Sequence, residues 1–328
     1  MPKRVFVAGA TGALGSRLIP LLLADGHSVV GSTHTAANLS SVRNTGAEAV
    51  LADGLDAKAM TAAVLAAKPD VIVHEMTAFG ANSDLRHFDR TFALTNRLRT
   101  EGLDNLLAAA AAARTQRFVA QSFCGWPYAR SGEPVKAEDA PLDPTPPREL
   151  RRTLEAIRYL ETRVLRDPTI AGLVLRYGAF YGPGTGMLDE KIVEQLRQRR
   201  FPMLGGGTGW WSLVHIDDAA AATAIAVARG EPGIYNIVDD DPAQVTDWLP
   251  ALAAAAGGKP PHRIPKWLAR PLAGSHLVTM MTEIRAGSNA KAKRILGWQP
   301  RHPSWRTGFR TALRTNTLTL NAQESRRN

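Results

Sequence analysis

Cysteine is almost absent from this chain of 328 residues, and long apolar runs are absent altogether. The single cysteine, Cys124, excludes an internal disulfide and leaves no set of thiolates for a zinc site. A membrane span needs about 18 apolar residues, whereas the longest apolar stretch, 106–113, is short and mostly alanine. The first residues lead into a strand and lack the form of a signal peptide. We therefore predict a cytoplasmic protein with no metal site and no membrane partner.

Acidic residues are also scarce, 30 against 40 basic ones, so the formal net charge is +10. Such a charge can mark a nucleic-acid binder. The arginines, however, are spread over many segments without interleaved aromatic residues, so we do not expect nucleic acid as a partner. The charge instead suits small anionic ligands such as a phosphorylated cofactor. We expect a small-molecule substrate and either a monomer or a homodimer.

Three glycines near the N-terminus, Gly9, Gly12 and Gly15, follow an apolar strand and open an apolar-periodic helix. In that context the first glycine allows a tight turn, the second lets the backbone approach a pyrophosphate, and the third lets helix and strand pack closely. Free N–H groups and the positive end of the helix dipole then face the phosphates. The sequence predicts a dinucleotide site formed by Gly9, Thr11, Gly12, Ala13, Leu14 and Gly15.

Strand candidates alternate with helical stretches through the first half of the chain. The strands are expected at 5–8, 28–32, 47–51, 71–74, 118–121 and 172–175, and the helices at 57–67, 88–113 and 150–166. Such alternation requires crossover connections. It predicts an α/β fold built on a Rossmann-type doubly wound parallel sheet.

Regularity falls in two places. Residues 127–149 contain six prolines, too many for a helix, and glycine- and proline-rich segments follow residue 180. We therefore expect a smaller, mixed C-terminal substrate-binding region beside the sheet. The predicted domains are a Rossmann domain of residues 1–178 and 212–238, a substrate-binding region of 179–211 and 239–320, and a tail of 321–328.

Five stretches together resemble the extended, epimerase/dehydratase-like branch of the short-chain dehydrogenase/reductase superfamily. They are 11–15, 118–122, 175–184, 213–219 and 288–300. The resemblance implies a nicotinamide cofactor and a catalytic core of a Tyr and a Lys four residues apart on one helix, with a Ser at the end of the fifth strand. That spacing puts both side chains on one helical face, where the ammonium makes the tyrosine a usable proton donor.

The Tyr–Lys pair is missing from this chain. When the helix is aligned by the family's downstream glutamate at Glu161, the Tyr position holds Thr153 and the Lys position holds Ile157. Tyr159 is followed four positions later by Arg163, and a register that uses this pair misplaces Glu161. We therefore identify the chain as an atypical member of the superfamily.

Three hydroxyl groups remain as candidate catalytic proton donors near the end of the fifth strand. Ser122 matches the family serine, Tyr128 follows it closely in the chain, and Thr153 occupies the Tyr position. Each also has an interpretation without catalysis. Ser122 can be a simple turn residue, Tyr128 can pack within its loop, and the Thr153 hydroxyl is a weak acid. Three tryptophans either wall a pocket for a flat substrate or pack in the core, namely Trp126, Trp210 and Trp211.

The end of the second strand indicates NADP(H) rather than NAD(H). NAD-specific sites place an acid there to hold the ribose hydroxyls, whereas Thr33 and His34 are followed by no acid before Glu48. Hydroxyls and a histidine suit a 2′-phosphate, and Arg43 lies near in sequence. The resemblance implies further cofactor contacts at Asp53, Gly54, Tyr177 and Gly178.

Loss of the pair argues against chemistry that needs a strong base, because reduction of a carbonyl requires only a donor for the nascent alkoxide. The leading hypothesis is an NADPH-dependent ketoreductase acting on a mostly apolar small molecule, including aromatic and polyketide-like ones. The first alternative is an NAD(P)-dependent epimerase or dehydratase with displaced catalytic residues. The second is a non-catalytic regulator that senses NADP(H).

Overall fold

The computed structural model describes residues 1–78 and 87–324, with side chains up to residue 314. The strands of the described chain are β1 (Arg4–Ala8), β2 (Ser28–Thr33), β3 (Glu48–Leu51), β4 (Val71–His74), β5 (Arg117–Phe123), β6 (Val135–Lys136), β7 (Ala171–Tyr177), β8 (Ala179–Tyr181), β9 (Met203–Leu204), β10 (Trp210–Trp211), β11 (Leu213–His215), β12 (Gly233–Ile237), β13 (Ala243–Gln244), β14 (Arg263–Ile264) and β15 (Ala286–Gly287).

The helices between these strands are α1 (Gly15–Ala24), α2 (Leu39–Arg43), α3 (Ala57–Ala67), α4 (Phe88–Thr91), α5 (Ala93–Arg97), α6 (Leu103–Ala113), α7 (Arg151–Arg166), α8 (Glu190–Arg197), α9 (Ile216–Ala228), α10 (Val245–Ala255), α11 (Lys266–Ala273), α12 (Ser275–Thr282) and α13 (Trp305–Glu324). Single 3₁₀ turns lie at Ala36–Asn38, Arg148–Leu150 and Gly186–Leu188. Two π-helical turns lie at Leu98–Gly102 and Ala292–Leu296.

Seven strands form one sheet in the order β12-β7-β5-β4-β1-β2-β3, and every neighbouring pair is parallel. The chain builds outward from β1 to β3 and then returns to the other side of β1 with β4. This reversal is a topological switch point, where ligands of doubly wound sheets bind beyond the carboxyl ends of the strands. The predicted Rossmann-type sheet is confirmed.

Two apolar layers cover the sheet because side chains alternate along each strand. Val5 and Val7 of β1 face the layer that contains α1 and α9. Phe6 and Ala8 face the opposite layer, which contains residues of α3, α6 and α7. The two layers cover the faces of the sheet, and their side chains meet at the edge formed by the carboxyl ends of the strands.

The expected helix at 88–113 is wrong as a single element. The backbone leaves helical geometry at Phe92, with φ −88° and ψ 2°, and a π-helical turn separates α5 from α6. The last helix, α13, also continues four residues into the segment predicted as a tail, because it ends at Glu324. The domain division itself stays a prediction.

No helix in residues 1–78 or 87–324 is long and apolar enough to cross a membrane. The same residues contain no group of three or more His, Cys, Asp or Glu side chains arranged to hold a metal ion.

Candidate active site

The glycine loop between β1 and α1 accepts only glycine at its two ends. Gly9 has φ +95°, and a Cβ there would lie 2.6 Å from the carbonyl oxygen of Glu75. A Cβ at Gly15 would lie 2.3 Å from the carbonyl oxygen of Gly9. The Gly12 N–H donates to that same carbonyl over 3.1 Å and closes the turn. Side chains at either position would push the helix start away from the end of β1.

The start of α1 offers backbone donors to a ligand. Thr11, Gly12 and Ala13 are exposed, and Leu14, which precedes the helix, supplies no side-chain cap. Within the described chain, the N–H groups of Ala13 and Leu14 donate to no backbone carbonyl. Unpaired N–H groups at a helix start suit an anion. The loop therefore fits a dinucleotide pyrophosphate.

The end of β2 carries polar groups of no negative charge. Thr33 is buried, and its hydroxyl accepts the Thr35 N–H over 3.3 Å. His34 and Arg43 are both exposed. The surface available to an adenosine ribose is thus neutral or basic, although a preference between NADP(H) and NAD(H) stays a prediction.

Asp53 and Gly54 follow β3 at the same edge. The exposed Asp53 carboxylate accepts the Leu55 N–H over 2.9 Å, which leaves its other oxygen available to a ligand. Gly54 is buried, and a Cβ there would lie 2.5 Å from the sulfur of Met76. Gly54 thus permits the loop after β3 to pack closely against Met76, which follows β4, while Asp53 faces solvent.

Tyr177 and Gly178, the other predicted cofactor contacts, are packed inside the protein. Tyr177 is 2% exposed. Its hydroxyl donates to Glu75 Oε1 over 3.0 Å and lies 2.7 Å from Thr223 Oγ1. Burial raises the pKa of Glu75 to about 8, because the carboxylate form is desolvated. A Cβ at Gly178 would lie 2.8 Å from the Ser212 carbonyl oxygen. Direct cofactor contact by either residue stays a prediction.

Ser122 belongs to a buried polar network at the end of β5. Its hydroxyl donates to Glu161 Oε1 over 2.7 Å. The same carboxylate forms a two-point ion pair with Arg176, whose Nε and Nη2 lie 2.7 and 2.6 Å from its two oxygens. All three side chains are buried, so the Ser122 hydroxyl is held by protein on the side that faces α7.

Tyr128 extends this network. Its hydroxyl accepts Arg176 Nη1 over 2.9 Å and donates to Asn236 Oδ1 over 2.8 Å. The residue is fully buried, and burial raises its pKa above the ordinary value of a tyrosine. The Tyr128 hydroxyl is therefore a weaker acid than a free tyrosine, and a substrate oxygen would have to displace Arg176 or Asn236 to reach it.

Thr153 lies in the first turn of α7 and is also internally bonded. Its hydroxyl donates to Asp89 Oδ1 over 2.7 Å and accepts Asn96 Nδ2 over 3.0 Å. Asp89 additionally accepts the N–H groups of Arg152 and Thr153 and so caps the helix. Ile157 follows one turn later and is 1% exposed. The two positions of the family pair thus hold a hydroxyl and an apolar side chain.

The single tyrosine of α7 lies at the protein surface. Tyr159 is exposed, and its hydroxyl donates to Asp104 Oδ2 over 2.5 Å. Arg163 contacts the same carboxylate over 3.2 Å. This pair therefore joins α7 to α6 at the surface, which agrees with the register set by Glu161. The catalytic roles of Ser122, Tyr128 and Thr153 stay predictions.

One buried cation at this edge had no signal in the sequence. Arg99 is 6% exposed in the π-helical turn, and its Nε and Nη1 have no hydrogen-bond partner among the described residues. Burial lowers its pKa to about 10. His74 lies on the neighbouring strand end, where burial lowers its pKa to about 4, and its Nε2 donates to the Leu98 carbonyl. His74 is therefore neutral and structurally engaged.

Aromatic side chains gather beside α7. Phe88 stacks on Phe92 with ring centroids 4.3 Å apart and meets the edge of Trp126 at 5.6 Å. They belong to an apolar cluster that also contains Ile157. Trp211 touches the cluster but is anchored by its Nε1, which donates to the Met280 carbonyl over 2.9 Å. We define Phe88, Phe92 and Trp126 as the aromatic cluster.

The comparisons with known proteins agree with this geometry. The sequence pattern of the NAD dependent epimerase/dehydratase family matches residues 5–238, which is most of the chain. The chain belongs to this family. A solved UDP-glucose 4-epimerase of Thermotoga maritima superposes with a TM-score of 0.76 at 20% identity, over 96% of this chain and 99% of that one. That likeness supports the epimerase-like fold.

Two curated relatives of this family member are named as reductases. A 3-diazoavenalumate denitrifying reductase of a Streptomyces species is 41% identical over 93% of this chain and 99% of its own length. A 4-hydroxy-2-methyl-3-oxo-4-farnesyl-3,4-dihydroquinoline-1-oxide ketoreductase of Stigmatella aurantiaca is 26% identical over 78% of this chain and 74% of its own. The chain is therefore an oxidoreductase, and its family uses a nicotinamide cofactor.

Proposed function

We propose that the protein is an NADPH-dependent reductase of a flat aromatic substrate, and that the reaction needs no proton from a Tyr–Lys pair. The observation that carries this proposal is that neither position of the family Tyr–Lys pair holds a free proton donor. The Thr153 hydroxyl is engaged by Asp89 and Asn96, and Ile157 is apolar and buried. A reaction that tolerates this arrangement develops little negative charge on the substrate beside α7.

An aryl diazo group is the first candidate for the reduced function. The relative with 41% identity is named for a diazo substrate and for denitrification. A bound reduced dinucleotide would supply a hydride and become oxidised. At the diazonium carbon of the substrate a C–H bond would form, and the C–N bond would break with its electron pair leaving in dinitrogen. No oxyanion forms, so no residue of the chain has to protonate one.

In this proposal the residues of the chain bind and orient the cofactor and the substrate and exclude water from them. The N–H groups of Ala13 and Leu14 hold the pyrophosphate at the helix start. Thr33 and His34 receive the 2′-phosphate, with Arg43 adding positive charge. The aromatic cluster contacts the ring of the substrate. The network of Ser122, Glu161 and Arg176 holds the end of β5 at a constant distance from α7.

A carbonyl is the second candidate, because the relative from Stigmatella aurantiaca is named a ketoreductase. In that case the nascent alkoxide needs a donor, and Thr153 is the hydroxyl at the family Tyr position. The Thr153 hydroxyl would turn its proton from Asp89 to the alkoxide of the substrate. The variant Thr153→Val lacks this hydroxyl and would therefore reduce the ketone more slowly. The same variant would spare reduction of a diazo group.

The experiment supplies purified protein with NADPH or NADH and either an arenediazonium carboxylate or the matched aryl ketone. Cofactor absorbance follows turnover, and cofactor deuterated at the transferred position identifies the carbon that receives hydrogen. The Gly9→Ala variant controls for direct reaction of the diazonium with NADPH. We expect deuterium at the carbon that lost nitrogen, with NADPH faster than NADH.

Three other outcomes would change the assignment. Deuterium only in the alcohol from the ketone would favour the ketoreductase. Faster turnover with NADH would contradict the assignment of the β2 end to a 2′-phosphate. Tight cofactor binding without turnover of either substrate would favour a regulator that senses NADP(H).

A further inference from the structure

We propose that a cavity between α4 and the start of α7 binds the carboxylate of the substrate, so that the substrate is an aromatic acid. This inference rests on the proposed function because it assigns the substrate class of that site. The cavity has a volume of about 610 Å³ and is lined by His87, Phe88, Asp89, Arg90, Arg148, Glu149, Arg151 and Arg152. Its volume falls within the range of about 300–1,000 Å³ typical of small-molecule sites.

Four arginines give the cavity its charge. Arg90, Arg148, Arg151 and Arg152 all line it and are exposed. None of the ion pairs formed by residues 1–78 and 87–314 includes one of these four guanidiniums. They are therefore available to a ligand.

The two acidic residues of the cavity do not cancel this charge by pairing with the arginines. The Asp89 carboxylate accepts two backbone N–H groups and the Thr153 hydroxyl. Glu149 Oε2 accepts the Ser275 hydroxyl over 3.0 Å. Both carboxylates accept hydrogen bonds from neutral donors. The lining therefore carries four positive charges from the guanidiniums and two negative charges from the carboxylates. The cavity is cationic.

One wall of the cavity is aromatic. Phe88 lines it and is also the central ring of the aromatic cluster, stacked on Phe92 and in edge contact with Trp126. A ligand that uses both walls has an apolar flat body and an anionic end. A guanidinium binds a carboxylate with two parallel hydrogen bonds, which makes an aromatic carboxylate the ligand that matches this wall pair.

The cavity wall is directly bonded to the predicted catalytic region. Asp89 lines the cavity, and its Oδ1 accepts the hydroxyl of Thr153 at the family Tyr position over 2.7 Å. A carboxylate held in the cavity would therefore leave the ring of its own molecule beside the start of α7. This arrangement positions the substrate from its charged end, which compensates for the missing hydrogen bonds of the Tyr–Lys pair.

The test compares the double variant Arg148→Gln/Arg151→Gln with Arg166→Gln. Arg166 is the matched control because it is an exposed arginine in the last turn of α7, the helix that begins at Arg151, and does not line the cavity. Calorimetry of the NADPH-loaded proteins measures binding of cinnamate and, separately, of neutral cinnamamide and inorganic phosphate. We expect the double variant to bind cinnamate about tenfold more weakly or worse, since two charge-assisted contacts are lost. Arg166→Gln should bind it like the unmodified protein.

Each other result has a defined meaning. Equal binding of cinnamate and cinnamamide by the unmodified protein would overturn the proposal, as would equal weakening in Arg166→Gln. Phosphate binding stronger than cinnamate binding would also overturn it, because it would point to a phosphate-bearing ligand. The assay measures binding without turnover, so a failure of the proposed reduction leaves it interpretable. Unchanged NADPH affinity in all variants verifies that the fold is intact.

Discussion

The candidate site has two halves, the glycine loop and the group of hydroxyls between β5 and α7, and their polar groups differ in whether they are already hydrogen-bonded. At the glycine loop, the N–H groups of Ala13 and Leu14 have no backbone acceptor in the described chain. At the end of β5 and the start of α7, the hydroxyls of Ser122, Tyr128 and Thr153 are all bonded to other side chains. The first half is prepared for a ligand by its backbone. The second half has side chains that stabilise one another, so the fold can keep a cofactor site while its proton chemistry changes.

The largest expected effect tests the network of the second half. Glu161→Gln would leave the buried Arg176 guanidinium without its counter-charge, so we expect a loss of about 3–5 kcal/mol in the free energy of unfolding. Urea denaturation measures it. The control, Arg163→Gln, breaks the half-exposed pair with Asp104 and should cost less than about 1 kcal/mol. Equal losses would mean that burial of the network contributes nothing.

The next effect tests the first half. Gly9→Ala places a Cβ against the Glu75 carbonyl, so we expect NADPH affinity to fall about 100-fold or more, since the loop must open to relieve the overlap. Energy transfer from tryptophan to bound NADPH measures affinity. Gly26 is the control because it also has positive φ, +83°, but a Cβ there meets nothing within 4 Å. Affinity retained in Gly9→Ala would exclude this loop as the cofactor site.

The third prediction uses the buried carboxyl that lies beneath the first half. The pKa of Glu75 is raised to about 8 in the folded protein, from an ordinary value of 4.5. The unfolded chain therefore releases this proton first, and the protein loses stability as the pH rises from about 4.5 to about 8. Glu75→Gln removes that loss, so its advantage in the free energy of unfolding should grow over this interval to about 4–5 kcal/mol.

Urea titrations of both proteins at several pH values measure this difference. Groups that titrate in both proteins cancel, including Asp239, whose pKa burial also raises to about 8. A difference that does not change with pH would mean that Glu75 is ionised in the folded protein.

The smallest effect separates the two chemistries of the proposed reductase. Ser122→Ala, Tyr128→Phe and Thr153→Val should each lower kcat for the diazo substrate less than about tenfold, because none of these hydroxyls transfers a proton in that reaction. Steady-state kinetics at several pH values measure it, with Thr100→Val as a control for loss of a helix hydroxyl, which in Thr100 bonds to the Asn96 carbonyl. A fall of about 100-fold in Thr153→Val alone, with a changed pH profile, would favour carbonyl reduction and proton transfer by Thr153.

Much of the first half was predictable because its signals are local. The strand at Val5, the glycines at 9, 12 and 15 and the absence of an acid before Glu48 lie within one stretch of chain. Alignment on Glu161 assigned Thr153 and Ile157 to the Tyr and Lys positions of the helix, and this assignment stays a prediction. The interrupted helix at 88–113 was missed, because its segments pack against α7 and the π-helical turn is bonded to β4 through His74, contacts that a local pattern does not show.

The partners of the second half could not be read from the chain. Tyr128 donates to Asn236 across 108 residues, and Ser122 donates to Glu161 across 39. The burial of Arg99, whose Nε and Nη1 lack a hydrogen-bond partner among the described residues, has the same origin, since only its neighbours in space bury it.

By itself the sequence determined the sheet, the glycine turn and the loss of the Tyr–Lys pair, since strand alternation, φ > 0 at Gly9 and residue identity are properties of short segments. Only the tertiary structure decided which hydroxyls remain available and which arginines share a cavity. Hydrogen bonds and charges act over a few ångströms of space, and the crossover connections bring together residues that lie far apart in the chain.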